Sequence, residues 1–389
     1  MNTNKNNIDY TLISIVILLG IVSIFTINTV EPTLPAKYAN QNFLLKQIVW
    51  YFGGGILIAL IMLIDYDRFR QLTWILYGTG LTMLLMLFFR FPGPIIHEVN
   101  NAVSWFKVPV LGTFQPAEIM KVILVLTLAH VMYFHNQKYV KQTVKSDLWL
   151  LGKIIALSFP PMALIAVQPD LGSFLVLAAI TAAMILVSGI SWRLILSIVS
   201  IALGVIGLII AAYFLFPDSI AVYLQEGVFQ HVSSRFYGWF YPEQYSDSGY
   251  QLIRAMMAIG SGQLFGKGIE AMQVNVPERH TDMIFTAVAE QFGFIGSSIV
   301  VTLFFLLLYR LIHIAIQSND SYGSFIVTGI VGMFTYQIFQ NIGMSIQLLP
   351  ITGLPLPFLS YGGSSTLTYL IAIGIVLNIH SRTKKYMFE

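Results

Sequence analysis

Asp282 closes the longest polar stretch of the chain, Val276-Pro-Glu-Arg-His-Thr-Asp282, and one residue later the sequence turns apolar for several helical turns. A carboxylate held where water meets hydrocarbon is partly desolvated yet still reachable, which suits a general base acting on a lipid-borne substrate. The same position also suits a helix N-cap, and the two roles are compatible. A second chemical group is Glu118 with Lys121, in Phe114-Gln-Pro-Ala-Glu118-Ile-Met-Lys121. Pro116 marks a helix start, because its ring needs no amide donor there, so the two charges fall three apart on one helix face. Either charge alone at mid-membrane costs about 2.5–3.5 kcal/mol, which favours a pair turned into the bundle. Such a pair either only locks helix packing or also serves a site. Asp170, in Gln168-Pro-Asp170-Leu-Gly172, sits in a tight turn, either as the cap of the next helix or as a site carboxylate.

The elements that must position these groups are membrane spans. Of 389 residues, 56% are apolar and only 10% charged, and the mean hydropathy is +0.75. No soluble domain has that composition. The first apolar run, 11–30, is long enough to cross a bilayer and too long for a signal-peptide core, so it is expected to be a retained span. Apolar runs predict about ten spans, at 11–30, 43–64, 72–89, 116–134, 148–167, 171–189, 193–216, 283–309, 323–349 and 365–380. The expected fold is an all-α polytopic bundle, a single domain over 1–389, with a large extracellular loop at 217–282 between spans seven and eight.

Basic residues set the orientation, because they are retained on the cytoplasmic side. With the N-terminus inside, Lys5, Arg68, Arg70, Lys138, Lys141, Lys145, Lys153, Arg193, Arg310, Arg382, Lys384 and Lys385 lie toward the inner face. Only Lys37, Lys46, Arg90, Lys107 and Lys121 lie toward the outer one once the long loop is set aside. Both termini are therefore expected in the cytoplasm and Asp282 outside. A net charge of +3 excludes a nucleic-acid binder by bulk electrostatics. The absence of cysteine excludes disulfides and thiol nucleophiles.

Other outer segments point to a built site. The loop 90–115 carries the aromatic pair Trp105-Phe106. The stretch 349–365 is too rich in Pro and Gly for a helix and too apolar for a solvated loop. Backbone of that kind survives at membrane depth only where protein or a wet cavity satisfies it, although a purely structural re-entrant turn would look the same. Within the long loop, Tyr250 to Phe265 has the apolar content of a surface-lying helix, ended by Gly260 and Gly262. Gly260-Ser-Gly-Gln-Leu-Phe-Gly266-Lys-Gly268 fails as a phosphate loop, since Ser261 replaces the first glycine and Gly268 the required Ser or Thr. No protein zinc site is visible among the histidines, and His280 reads as a solvated loop residue.

Together these segments resemble the SEDS family (shape, elongation, division and sporulation), which includes RodA and FtsW. The motifs that carry the likeness run in order from Trp105 and Phe114-Gln-Pro-x-Glu-x-x-Lys121 through Gln168-Pro-Asp-Leu-Gly172 and Gly249-Tyr-Gln-x-x-Arg254. They continue with Ile259-Gly-Ser-Gly-x-Leu-Phe-Gly-Lys-Gly268, Pro277-Glu-x-His-Thr-Asp282 and Pro355-Leu-Pro-Phe-Leu-Ser-Tyr-Gly-Gly-Ser-Ser365. Gln340-Asn-Ile-Gly-Met and Pro350-Ile-Thr-Gly-Leu-Pro-Leu-Pro look like the RodA branch. Ala117 stands where the family more often has serine, which alters no ionisable group.

The resemblance implies a peptidoglycan glycosyltransferase in the cytoplasmic membrane, polymerising lipid II at its outer face beside a class B penicillin-binding protein. Asp282 is then the expected general base. Substrate contacts are expected at Trp105, Glu118, Lys121, Lys46, Arg254, Ser364 and Ser365, with Lys46, Lys121 and Arg254 as cations for the pyrophosphate and Glu118 orienting Lys121. Lys46 also suits a snorkelling interfacial lysine, and Trp105 an interfacial anchor. No cofactor is required, although a divalent cation such as Mg2+ or Mn2+ at the pyrophosphate fits the leaving group. Two other classes compete: a lipid II flippase, which predicts ionisable groups near mid-membrane and inverted-repeat halves, and a non-catalytic scaffold.

Overall fold

The computed structural model describes residues 8–38, 41–99, 102–108, 112–141, 143–215, 230–244, 248–269 and 271–383. Lys5, Lys384, Lys385 and the first part of the long loop, 216–229, lie outside the described residues.

Ten long apolar helices form where the runs predict them: α1 Tyr10–Val30, α2 Phe43–Leu63, α3 Tyr66–Phe88, α4 Pro116–Lys138, α5 Val144–Val167, α6 Leu171–Val187 and α7 Trp192–Leu215. After two shorter loop helices, α8 Gln230–Phe240 and α9 Ser248–Ser261, come α10 Ile284–Gln317, α11 Ser321–Ser345 and α12 Gly363–Arg382. Eight of the ten are long and apolar enough to cross a membrane; α6 and the apolar part of α7, Trp192–Val205, are shorter. Local chemistry starts several of them. Asp9 accepts from the Leu12 amide at 3.0 Å, Asn42 from Leu45 at 2.7 Å and Asp170 from Ser173 at 2.9 Å, each satisfying an amide that the first helical turn leaves free.

α4 is the axle of the bundle. It is buried nearly all round, packs against α3, α5, α6, α11 and α12, and starts at Pro116 as its sequence predicts. α12 lies along α2, α11 along α6, and α1 along α10. Polar contacts tie the two ends of the bundle separately. At one end Asp9 pairs with Arg310 at 2.7 Å, Asp65 with Arg382 at 3.0 Å, and Tyr66 reaches Asp320 at 3.2 Å. The other end gathers 31–38, the described parts of 90–115, 168–170, the loop helices and 346–362.

Three features differ from the sequence-based expectations. The 90–115 loop is not featureless: β1 Ile96–Val99, β2 Ala102–Val108 and β3 Gly112–Phe114 form a small antiparallel sheet in the order β1-β2-β3. Ile96 faces Phe106 and Phe106 faces Phe114, and this apolar side packs with Met86 and Leu87 at the end of α3. The expected helical bundle holds, with this one small sheet added in the loop, where Val103 and Phe106 are the buried apolar residues of β2.

Second, the eighth span is longer than 283–309 and is broken at Gly293, which has φ 62° and ψ −155°. Third, the glycine-rich segment that fails as a phosphate loop fills that break. Phe294 N donates to Gln263 O at 2.8 Å and Lys267 N to Glu290 O at 2.9 Å, so the loop supplies partners where the helix ladder is interrupted. A Cβ on Gly266 would lie 2.1 Å from Gln291 O, and one on Gly262 would lie 2.0 Å from Ala289 O. Only glycine allows that approach.

Glu290 clamps this junction. Its carboxylate accepts Lys267 Nζ at 2.6 Å, the Gln273 amide at 2.9 Å and Arg279, and Glu290 is wholly buried. Glu290→Leu would leave the buried Arg279 guanidinium without a counter-charge, a loss expected to cost about 3–5 kcal/mol. Thermal unfolding in detergent should show a drop of several degrees. Lys267→Gln, at the more exposed edge of the cluster, should cost clearly less.

Candidate active site

Asp282 sits in the turn between the 271–281 loop and α10. It does not cap that helix: the N-cap is Met283, with no side-chain bond. The carboxylate is thus free for another role, half-buried at the end of the bundle. Oδ1 accepts a 3.3 Å bond from the Thr281 hydroxyl. Oδ2 faces Gly353, where a Cβ would lie 3.8 Å away and where φ is +74°.

The backbone around Asp282 is held from α11. Asn341 Nδ2 donates to Asp282 O at 2.6 Å and to Leu354 O at 2.7 Å, so one fully buried amide joins the turn to the irregular segment 346–362. That segment satisfies its polar groups against protein. Ser23 donates to Leu359 O at 2.8 Å, Gln47 to Ser360 O at 3.2 Å, Tyr51 to Phe358 O and Gln340 to Pro350 O at 2.9 Å. Unwound backbone at this depth requires such partners.

Arg235, on α8, is a cation whose charge reaches this group. It donates to Thr352 O at 2.9 Å, and its charge acts on both Asp170 and Asp282. Asp170 in turn accepts from Gln115 Nε2 at 2.8 Å, and the Gln115 amide donates to Ser364 Oγ at 3.0 Å. Asp282, Arg235, Asp170, Gln115 and Ser364 therefore form one polar array across the ends of α4, α6, α10 and α12. The sequence reading missed Arg235 and gave Asn341 only as part of a motif. The available signal was an arginine among aromatics in Val232-Ser-Ser-Arg235-Phe-Tyr-Gly-Trp239.

The remaining expected residues spread out. Lys121 Nζ lies 2.6 Å from Glu118 Oε1, and with 0% and 3% exposure both are sealed inside the bundle. Ser365 is buried and bonds to Gly362 O at 3.2 Å. Trp105 is half-buried on β2 opposite His97. Lys46 is exposed at the start of α2, 3.4 Å from Gln41 Oε1. Arg254 stacks over Tyr250 at 5.1 Å on α9. Among the described residues, neither Lys46 nor Arg254 bonds to the Asp282 array.

His280 overturns its expectation as a solvated residue. It is buried between Tyr38, Phe43 and Tyr361, with ring centroids 5.0, 4.6 and 6.1 Å away. Burial holds its imidazole below the ordinary range, with the Lys37 charge in the same direction and Glu278 opposing it. Asp282 moves the other way. Desolvation, then the Glu278 carboxylate, push it up to about 7, against its hydrogen bonds and Arg235. Among the described residues no three His, Asp or Glu side chains gather as a metal cage.

A bundle of apolar helices with a polar array at one end defines a multi-pass membrane protein. The chain belongs to the FtsW, RodA and SpoVE family, described as "Cell cycle protein", which matches residues 6–385. It is 32% identical to stage V sporulation protein E of Bacillus subtilis, over 99% of this chain and 100% of that one. It is also 32% identical to a probable peptidoglycan glycosyltransferase FtsW of Lactococcus lactis, over 99% and 95%. Identity to the peptidoglycan glycosyltransferase RodA of Treponema pallidum is 28%, over 97% and 98%. Among solved structures, RodA of Thermus thermophilus superposes with a TM-score of 0.68 at 26% identity, over 98% and 100% of the chains. A chain from a peptidoglycan synthase complex, described as coordinating polymerization and crosslinking, superposes with a TM-score of 0.76 at 26% identity, over 97% and 99%.

The raised proton affinity of Asp282 has a stability consequence. Its folded value of about 7 lies above the ordinary 3.8, so the folded state holds the proton more tightly and stability falls as pH rises through that window. Asp282→Asn removes the penalty. It should melt above wild type at pH 8, and the gain should shrink toward zero on lowering the pH to 4. A pH-independent difference between the two proteins would contradict the raised value.

Proposed function

We propose that this chain is a peptidoglycan glycosyltransferase that polymerises lipid II at the outer face of the cytoplasmic membrane. The observation that carries the reading is Asp282: a half-buried carboxylate with its oxygens uncommitted to a helix cap and its proton affinity raised to about 7. The names of the relatives support the reaction class.

In this reaction the 4-hydroxyl of an acceptor GlcNAc attacks the anomeric carbon of a donor MurNAc. The new C–O bond forms as the bond from that carbon to undecaprenyl pyrophosphate breaks, and the bonding pair leaves on the phosphate oxygen. Asp282 takes the hydroxyl proton, in the manner of an inverting transfer, where one carboxylate activates the nucleophile opposite the leaving group. The pyrophosphate needs positive charge rather than a proton. Arg235 is the cation best situated beside Asp282, and Lys46 and Arg254 are further candidates on the same face. Glu118 and Lys121, sealed from the surface, act by fixing the axle helix under Gln115 and Ser364. Trp105 offers a ring for a sugar face and Ser364 a hydroxyl at the start of α12, whereas Ser365, buried and bonded to Gly362 O, shapes that turn from inside. A divalent cation would be held mainly by substrate oxygens, since the described side chains do not supply a cage.

The orientation rests on the Lys and Arg bias, and a class B penicillin-binding protein is the proposed partner, in keeping with the coordination described for the synthase complex. Assignment to elongation rests on the Gln340 and Pro350 motifs alone. The relatives do not divide along that line, with sporulation and FtsW proteins at 32% identity and a RodA at 28%.

Purified protein with lipid II and its cognate penicillin-binding protein should make glycan polymer, and Asp282→Asn and Asp282→Ala should lose about 10²–10⁴-fold of the rate while remaining folded. Full polymer from both variants would remove the general-base assignment, and lipid II crossing proteoliposomes indifferent to Asp282 would favour a flippase. Wild-type rate should rise with pH and level off above about 7. Exchanging the charges of Glu118 and Lys121 tests packing against function: recovered polymerisation means that the pair only packs. Because the chain has no cysteine, single Glu243→Cys and Lys141→Cys variants report topology directly. The first should label from outside intact cells and the second only after permeabilisation.

A further inference from the structure

A groove between α3, α4 and α5, at the end of the bundle away from Asp282, takes no part in the site described above. It has a volume of about 490 Å3 and is lined by Trp74, His130, Phe134, Lys138, Lys153 and Leu157, among others. One wall is apolar and open: Trp74 is 51% exposed and Phe134 47%. The other wall carries Lys138 from the last turn of α4 and Lys153 from α5.

Lys153 is set deep for a lysine. It lies nine residues beyond Val144, the first residue of α5, and so roughly 13 Å along that helix at 1.5 Å per residue. Its ammonium bonds to His135 Nδ1 at 3.3 Å, whose Nε2 meets Ser146 Oγ at 3.1 Å, and it lies over the Trp149 ring at 5.4 Å. Among the described residues neither Lys153 nor Lys138 pairs with a carboxylate. Asp147, in the first turn of α5, is buried and accepts from the Ser191 amide at 3.0 Å. Arg70 of α3 adds a further positive charge over Tyr133, itself matched to Asp67 at 3.4 Å.

Two lysines beside an apolar, lipid-open wall match a ligand with an anionic head and a hydrocarbon tail. We propose that this groove binds an anionic phospholipid, its phosphate on Lys153 and Lys138 and an acyl chain along Trp74, Phe134 and Leu157. Basic pockets between membrane helices hold headgroups in this way, and the phosphate supplies the counter-charge that the protein does not. The choice of the inner leaflet rests on the charge-bias orientation.

The test uses the full chain, delipidated in detergent and titrated with phosphatidylglycerol or phosphatidylcholine, with bound lipid counted by native mass spectrometry. Wild type should prefer phosphatidylglycerol by about tenfold. The double variant Lys138→Gln with Lys153→Gln should lose that preference at an unchanged unfolding temperature. Lys145→Gln, at the same end but outside the groove, should keep it. Leu157→Trp, which fills the groove and leaves every charge in place, should also lose the lipid and covers the case in which the double variant misfolds. Equal binding of both lipids by wild type, undiminished preference when the groove is filled, or displacement of the lipid by inorganic phosphate would overturn the proposal. A reversed topology in the cysteine labelling would move the site to the other leaflet and leave the lipid preference intact, so the two readings fail separately.

Discussion

Every part of the candidate site depends on one constraint: backbone that leaves a helix inside an apolar bundle must find hydrogen-bond partners in the protein. The 346–362 segment meets it through Asn341, Gln340, Gln47, Ser23, Tyr51 and Arg235, which reach its carbonyls from four different helices. An unmet carbonyl or amide in such a setting costs several kcal/mol, of the order of ~2–7 kcal/mol without a partner. The segment is thereby fixed in place, and Asp282, Asp170 and Ser364 inherit fixed positions from it.

The same constraint explains the broken tenth helix. Where Gly293 departs from helical geometry, the 263–268 loop supplies the missing partners, and Glu290 ties loop and helix together through Lys267 and Arg279. This fixes the start of α10 and with it the turn that presents Asp282. Glycine at 262 and 266 is a steric requirement of that contact. The sequence pattern that looked like an anion loop is a backbone-to-backbone seam.

Electrostatics at the site follow from the same enclosure. Protein packed around Asp282 withdraws water from its carboxylate, and Glu278, held by Tyr38 at 2.9 Å, adds like charge. Arg235 opposes both without joining Asp282 in a sealed ion pair, since its guanidinium is engaged by carbonyls. The carboxylate therefore titrates near neutrality and can exchange a proton, whereas a tightly paired one would stay ionised and unreactive.

Sequence alone determined the helices, because the length of an apolar run and its caps are local properties. It fixed the start of α4 at Pro116, the Asp170 cap and the pairing of Glu118 with Lys121, all of which act within one helical turn. It also marked 349–365 as non-helical through its proline and glycine content, which holds up to Gly362, since α12 already begins at Gly363. Tertiary structure alone decided which groups meet. Arg235 reaches a carbonyl more than a hundred positions away in the chain, and Asn341 reaches Asp282 from another helix. His280 reads as a solvated loop residue until Tyr38, Phe43 and Tyr361 close around it. Such contacts are set by how helices pack, and no local pattern encodes a packing partner.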